Sequence, residues 1–141
     1  MTNQWEFLQF GISCALFGVI WIIQLVHYPS FKSYEINTFS LSMRSHQDRI
    51  SWVVIPLMLA ELMVAAYLAY TAPSLPNQTI VGIVICIWFC TFTIQVPLHR
   101  ELLLNGKNSL HLRHLVISNW IRTALWTLKL FIVFSTSIYS L

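Results

Sequence analysis

A chain of 141 residues that is 57% hydrophobic and 9% charged departs far from a soluble domain, in which about a quarter of residues carry charge. Its length accommodates four membrane spans of about 20 residues with short connections, and leaves no room for a separate soluble domain. The formal net charge of +3 gives no reason to invoke nucleic acid, and its distribution says more than its size.

In chain order, the first apolar run covers about residues 7–27 and halts before Pro29. It is preceded by Glu6 and by no Lys or Arg. With no basic segment ahead of it and no small-residue cleavage site behind, it reads as a retained span rather than a cleavable signal. Residues 30–49 are polar and hold Lys32, Arg44 and Arg49. Within them, NTFSLSMRSHQDR (37–49) reads as a helix start capped by Asn37, either an interfacial helix or an extension of the next span. The second span covers about 50–71, with Pro56 inside it and Pro73 after it. Residues 72–78 (APSLPNQ) make a short uncharged turn. The third span covers about 79–98, a basic connection follows with Arg100, Lys107 and Arg113, and the fourth span covers about 115–139.

Windows this long and apolar predict transmembrane helices, because a segment alone in lipid must satisfy its own backbone hydrogen bonds. The fold class expected is all-α, one integral membrane domain over residues 1–141 forming a four-helix transmembrane bundle. Nearly every basic residue falls in the two longer connections, so the positive-inside rule gives an N-out/C-out topology, with a bacterial inner membrane as the expected residence. No internal repeat emerges. Cys14, Cys86 and Cys90 all lie in apolar runs without a CxxC spacing and read as small packing residues.

Depth follows from a rise of 1.5 Å per residue. Counted from the outer ends, His27, His99 and Asn119 lie about 30 Å in, and Gln24, Gln95 and Arg122 about 24–26 Å in. Glu61 lies about 18 Å and Lys129 about 15 Å in. Two polar layers result: a cytoplasmic layer drawn from the first, third and fourth helices, which His46 and Arg49 could join, and a mid-membrane layer of Glu61 and Lys129. The spacings Gln24/His27, Gln95/His99 and Asn119/Arg122/Trp126/Lys129 each put polar groups on one helix face. Such faces are costly against lipid and should meet inside the bundle.

The candidate metal ligands are His27, His99, His46 and Glu61, since neutral imidazole is the commonest protein metal ligand. Gln24 and Gln95 would orient the imidazole rings. His46 lies about 22 Å along a continuous helix from Glu61, so both could bind one ion only if the chain bent at Pro56. Glu61 is otherwise a proton carrier or the partner of Lys129 or Arg122. Arg122 offers a fork for a carboxylate or phosphate, or reaches to headgroups. His111, Arg113 and His114 form a basic approach suited to anionic lipid, and Trp5, Trp52 and Trp120 look like interfacial anchors.

QVPLH (Gln95–His99), NWIRTALW (Asn119–Trp126) and VHYPSF (Val26–Phe31) resemble a group of small bacterial membrane proteins that is distantly similar to the anthrone-oxygenase-like family. The resemblance rests on three short motifs, about a fifth of the chain. It implies four spans and oxidation of a polycyclic phenolic substrate by oxygen. The chain departs from that pattern at His99, where the family carries Asn, and an imidazole there makes a metal more plausible than cofactor-free chemistry.

The function expected is an integral membrane oxidoreductase or oxygenase. Its cofactor would be a transition metal ion (iron, copper or zinc) or haem held by His27 and His99. Glu61 would serve as ligand or proton carrier, and Arg122 and Asn119 would orient an amphipathic small-molecule substrate arriving from the lipid bilayer. Two rivals are a haem-binding electron carrier or haem handler, and a non-catalytic membrane subunit or small-solute transporter built on a Glu61–Lys129 pair. A transporter of this size would call for a homo-oligomer.

Overall fold

The computed structural model describes residues 2–139. They form four long helices, each long and apolar enough to cross a membrane, and no strand occurs among the described residues. The first rod, α1, runs Thr2–Ile22, passes through a π-helical turn at Ile23–His27, and continues through Tyr28–Ser30 into a 3₁₀ turn at Phe31–Ser33. α2 spans Phe39–Thr71. α3 runs Leu75–Cys90, passes through a π turn at Thr91–Gln95, and continues as Val96–Asn105. α4 spans Ser109–Tyr139. α1 packs on α2 and α4, and α3 packs on the same two helices, so the chain closes a square bundle with α1/α3 and α2/α4 as its diagonals.

Both π-containing helices run on beyond their expected ends at about residues 27 and 98. α1 continues past Pro29 and α3 continues past Pro97. A proline in a helix lacks an N–H and crowds the carbonyl four residues earlier. Those carbonyls belong to Leu25 and Thr93, and each sits inside a π turn, where the wider turn accommodates the ring. Both π turns carry an Ile-Gln pair, Ile23-Gln24 and Ile94-Gln95, a correspondence between α1 and α3 that a search for repeats by spacing does not find. Pro56, by contrast, sits within α2 with no π turn.

The basic connections are also shorter than expected, because their polar residues extend the helices. α2 begins at Phe39, after Thr38, and takes no side-chain cap from Asn37. Asn108 caps α4, its Oδ1 accepting from the N–H groups of Leu110 (2.9 Å) and His111 (3.1 Å). Gly106 ends α3 at φ 75°, a conformation open to glycine at no steric cost. The Lys107 ammonium donates to the carbonyls of Lys32 and Tyr34, both at 2.7 Å, tying the two basic turns together.

The polarity of the bundle is reversed from that of a soluble one. Its exposed surface carries Phe7, Leu25, Val26, Ile55, Met63, Phe89, Phe92, Ile121 and Phe131, whereas Gln9, Gln24, Glu61, Gln95, Asn119, Arg122, Thr123 and Lys129 are buried. Apolar surface on every face with polar groups inside is the arrangement a bilayer favours. This is a four-helix membrane bundle.

Candidate functional site: an apolar cavity with a polar floor

Three levels of polar contact run along the bundle axis. At mid-depth, the Lys129 ammonium pairs with Glu61 across the α2/α4 diagonal. The Trp126 indole N–H donates to both oxygens of the same carboxylate, at 3.1 and 3.2 Å. The Glu61 charge is thereby neutralised and hydrogen-bonded inside an apolar core.

One turn toward the basic end, the Arg122 guanidinium lies over the Trp126 ring, 5.0 Å from its centroid, and donates through one Nη to Asn119 Oδ1 at 3.1 Å. The Asn119 amide donates to Gln24 Oε1 at 2.8 Å, and Gln24 Nε2 donates to the Val116 carbonyl at 3.1 Å. These contacts join α1 to α4.

The third level crosses the other diagonal. The Tyr28 hydroxyl donates to Gln95 Oε1 at 3.3 Å, and Gln95 Nε2 donates to Ser118 Oγ at 3.0 Å. His99 Nδ1 lies 2.8 Å from the Gln95 carbonyl oxygen. A carbonyl only accepts, so Nδ1 carries a proton, and in the neutral ring Nε2 is then free to accept one. The π turn and Pro97 set this geometry: Gln95 closes the wide turn, and regular helix resumes to bring His99 back over it.

A cavity of about 510 Å³ lies beside this level, within the roughly 300–1,000 Å³ usual for small-molecule sites. Tyr28, His46, Gln95, His99 and Arg122 form its polar side, and Val54, Met58, Trp88 and Phe92 are among its apolar walls. Ile55 of α2 and Phe92 and Val96 of α3 line it while remaining exposed on the lipid-facing surface. The cavity therefore opens sideways, between α2 and α3.

The expected residues separate into groups. His99, His46, Gln95 and Arg122 meet at the cavity, and Asn119 and Gln24 back them through hydrogen bonds. His27 is half-buried and packs on His46, with ring centroids 4.8 Å apart, while His99 packs on Tyr28 at 5.8 Å. The expected metal set of His27, His99, His46 and Glu61 does not converge. Glu61 is held by Lys129 and Trp126, and α2 runs unbroken from Phe39 to Thr71, which keeps Glu61 far from His46. Among the described residues, no three His, Cys, Asp or Glu side chains form a group able to hold a metal ion. Of the two imidazoles expected to clasp a haem, His27 packs on His46 and His99 on Tyr28.

Sequence reasoning passed over Tyr28, Trp88 and Ser118. Tyr28 stands beside His27 in VHYPSF, and Trp88 precedes Gln95 by seven residues, a helical repeat that would have placed it on the same face. Ser118 adjoins Asn119 in the fourth helix but lacks a spacing signal of its own. His114 and Arg113 are exposed as expected for a surface patch, and Trp5, Trp52 and Trp120 are likewise exposed.

No protein-family model, curated protein or solved structure matches the chain. Its class is thus defined by its own architecture, a four-helix membrane protein with a polar-floored cavity open to the lipid face.

Proposed function

We propose that this protein is an integral membrane oxidoreductase of the oxygenase type that draws an amphipathic substrate sideways out of the bilayer. The observation that carries the reading is the cavity between α2 and α3, apolar at its mouth and lined at its floor by Tyr28, Gln95, His99 and Arg122. A molecule already dissolved in lipid can enter such a site without crossing water. Its polar end would meet the convergent donors and acceptors while its apolar body fills the walls.

In this reading His99 is the base. Its Nε2 takes a proton from an acidic methylene or hydroxyl of the substrate, and the Tyr28 hydroxyl and Arg122 stabilise the charge left behind. Asn119 orients Arg122 from behind. The resemblance in QVPLH and NWIRTALW suggests the rest: the carbanion reacts with dioxygen, one oxygen atom becomes a carbonyl at the former methylene, and the other leaves as water with its two hydrogens. These steps use only the chain's own residues and dioxygen. Lys32, Arg44, Arg49, Arg100, Lys107 and Arg113 lie in or beside the two turns at one end of the bundle, which supports placing that end in the cytoplasm, with a bacterial inner membrane as its residence.

The test uses the full chain in lipid nanodiscs with anthrone, the simplest tricyclic carbon acid of the suggested class. Oxygen uptake matched by carbonyl product is expected. Replacing the base with a non-basic residue, His99→Gln, should lower the rate by about 10²–10⁴-fold, while His114→Gln on the exposed surface leaves it unchanged. An undiminished rate in His99→Gln would remove His99 from the chemistry, and absence of uptake in the wild type would remove the oxygenase reading. Elemental analysis and an absorption scan of the same sample check the cofactor separately: stoichiometric metal or a Soret band, lost in a His27→Ala/His99→Ala variant, would restore a His-held cofactor.

A further inference from the structure

Arg122 is 6% exposed, and a guanidinium is charged at any physiological pH. Among the described residues the one salt bridge is Lys129–Glu61, so the buried Arg122 charge has no carboxylate to balance it. The guanidinium has partial satisfaction, from Asn119 through one Nη and from the Trp126 ring face. Its Nε–H has no hydrogen-bond partner although it is shut off from solvent. The Trp88 indole N–H is in the same condition. Both residues line the cavity. Burying a charged donor without a partner costs more than burying a neutral one, and an acceptor group brought into the cavity these two residues line would offset that cost.

The sign and size of that acceptor follow from the surroundings. The other two charged side chains lining the cavity, Asp48 and Arg100, are exposed and of opposite sign. Glu61 and Lys129 cancel each other. Among the buried residues lining the cavity, Arg122 is therefore the one fixed charge. Its lipid-facing side is flanked by exposed Ile55, Phe92 and Val96, which suit an apolar chain.

We infer that the cavity binds a singly charged acid amphiphile, its anionic oxygens accepting from Arg122 Nε and Trp88 Nε1 and its apolar body leaving between α2 and α3. The inference rests on the reading of this cavity as the substrate site and names the chemical class the site selects. A carboxylate meets the requirement with two acceptor oxygens and one charge. A phosphate monoester would bring a second charge, with only the exposed Arg100 at hand to meet it.

The experiment compares three ligands of one chain length, dodecanoate, dodecanol and dodecyl phosphate, on the full chain in phosphatidylcholine nanodiscs, corrected for uptake by empty discs. At about pH 8 the carboxylic acid is ionised. Dodecanoate is expected to bind about ten- to hundred-fold more tightly than dodecanol, the range for a buried charge-assisted hydrogen-bonded contact. Arg122→Gln should erase that preference. Trp88→Phe, which keeps an aromatic wall and deletes only the N–H, should narrow it while leaving the melting temperature close to wild type, so the test stands even if Arg122→Gln fails to fold. Ser51→Trp, placed on the cavity wall, should block acid and alcohol alike. Equal binding of dodecanoate and dodecanol, both blocked by Ser51→Trp, would overturn the acid preference and leave the cavity reading intact. Tighter binding of dodecyl phosphate than of dodecanoate would overturn the single charge. Binding of none of the three, or binding indifferent to Ser51→Trp, would overturn the cavity reading along with it.

Discussion

Lys129 and Glu61 are 0% and 1% exposed at their side chains, and each is present at a cost that only the other offsets. Removing one partner of a buried pair typically costs about 3–5 kcal/mol, whereas replacing both by apolar or neutral groups of similar volume is often nearly neutral. Lys129→Met alone is therefore expected to destabilise the bundle by about that amount, and Glu61→Gln with Lys129→Met to recover most of the loss. Thermal melts of the three proteins in one detergent measure it. Melts of equal midpoint for single and double variants would show that the pair carries no mutual energy. This pair was legible in the sequence, because counting residues from the outer ends puts the two side chains at nearly one depth. The choice between Lys129 and Arg122 was not, since both lie on the same stripe of α4, and the structure gives Arg122 to Asn119 and the Trp126 face instead. His27 packs on His46 and His99 on Tyr28, and the local helix shapes both placements. His27 closes a π turn that begins beside Gln24, and a π turn takes more than 3.6 residues per revolution, so residues three apart no longer share a face. His99 lies beyond its π turn in regular helix, and its predicted kinship with Gln95 holds.

At the scale of the element, the two π turns are the features that set side-chain directions at the site. A π turn amounts to one extra residue in an α-helix. Deleting Thr93, an exposed residue inside the α3 turn, should restore regular helix there and keep Trp88 and His99 on their present faces. Deleting Cys86 from the regular part of α3 should instead rotate everything between it and the next connection by about 100°, pulling Gln95 away from Tyr28. The first variant is expected to elute as a folded, monodisperse species and the second to aggregate, as read by size-exclusion chromatography. The reverse order would show that the π turn is not the adjustable element. Sequence located all four helices by hydropathy but ended α1 at Pro29, since proline is read as a stop when the wide turn that accommodates it leaves no compositional mark, and ended α3 at about residue 98, where the apolar run gives way to His99 and Arg100. The extension of α2 at the basic end was one of two readings of residues 37–49, and that of α4 was obscured because its exposed polar face carries no apolar periodicity.

For the whole molecule, composition alone decided the class: helices whose exposed faces are apolar and whose interiors hold the polar residues match what 9% charge demanded. The cavity was not legible, because it arises where α2 and α3 separate and no single helix encodes it. The topology proposed from the basic turns predicts labelling. In a background with Cys14, Cys86 and Cys90 replaced, a cysteine at Ser74 should react with an impermeant maleimide on intact cells, and one at Glu35 only after permeabilisation. The opposite pattern would invert the orientation. The pairing of α2 with α4 also bears on how the chain is made. Glu61 enters the membrane with the first hairpin, and Lys129 follows 68 residues later. At about 5–20 residues per second of synthesis, the carboxylate waits on the order of ten seconds for its counter-ion. During that interval the first hairpin needs shelter from the insertion machinery, and a nascent chain truncated before α4 should be recognised as incomplete and degraded.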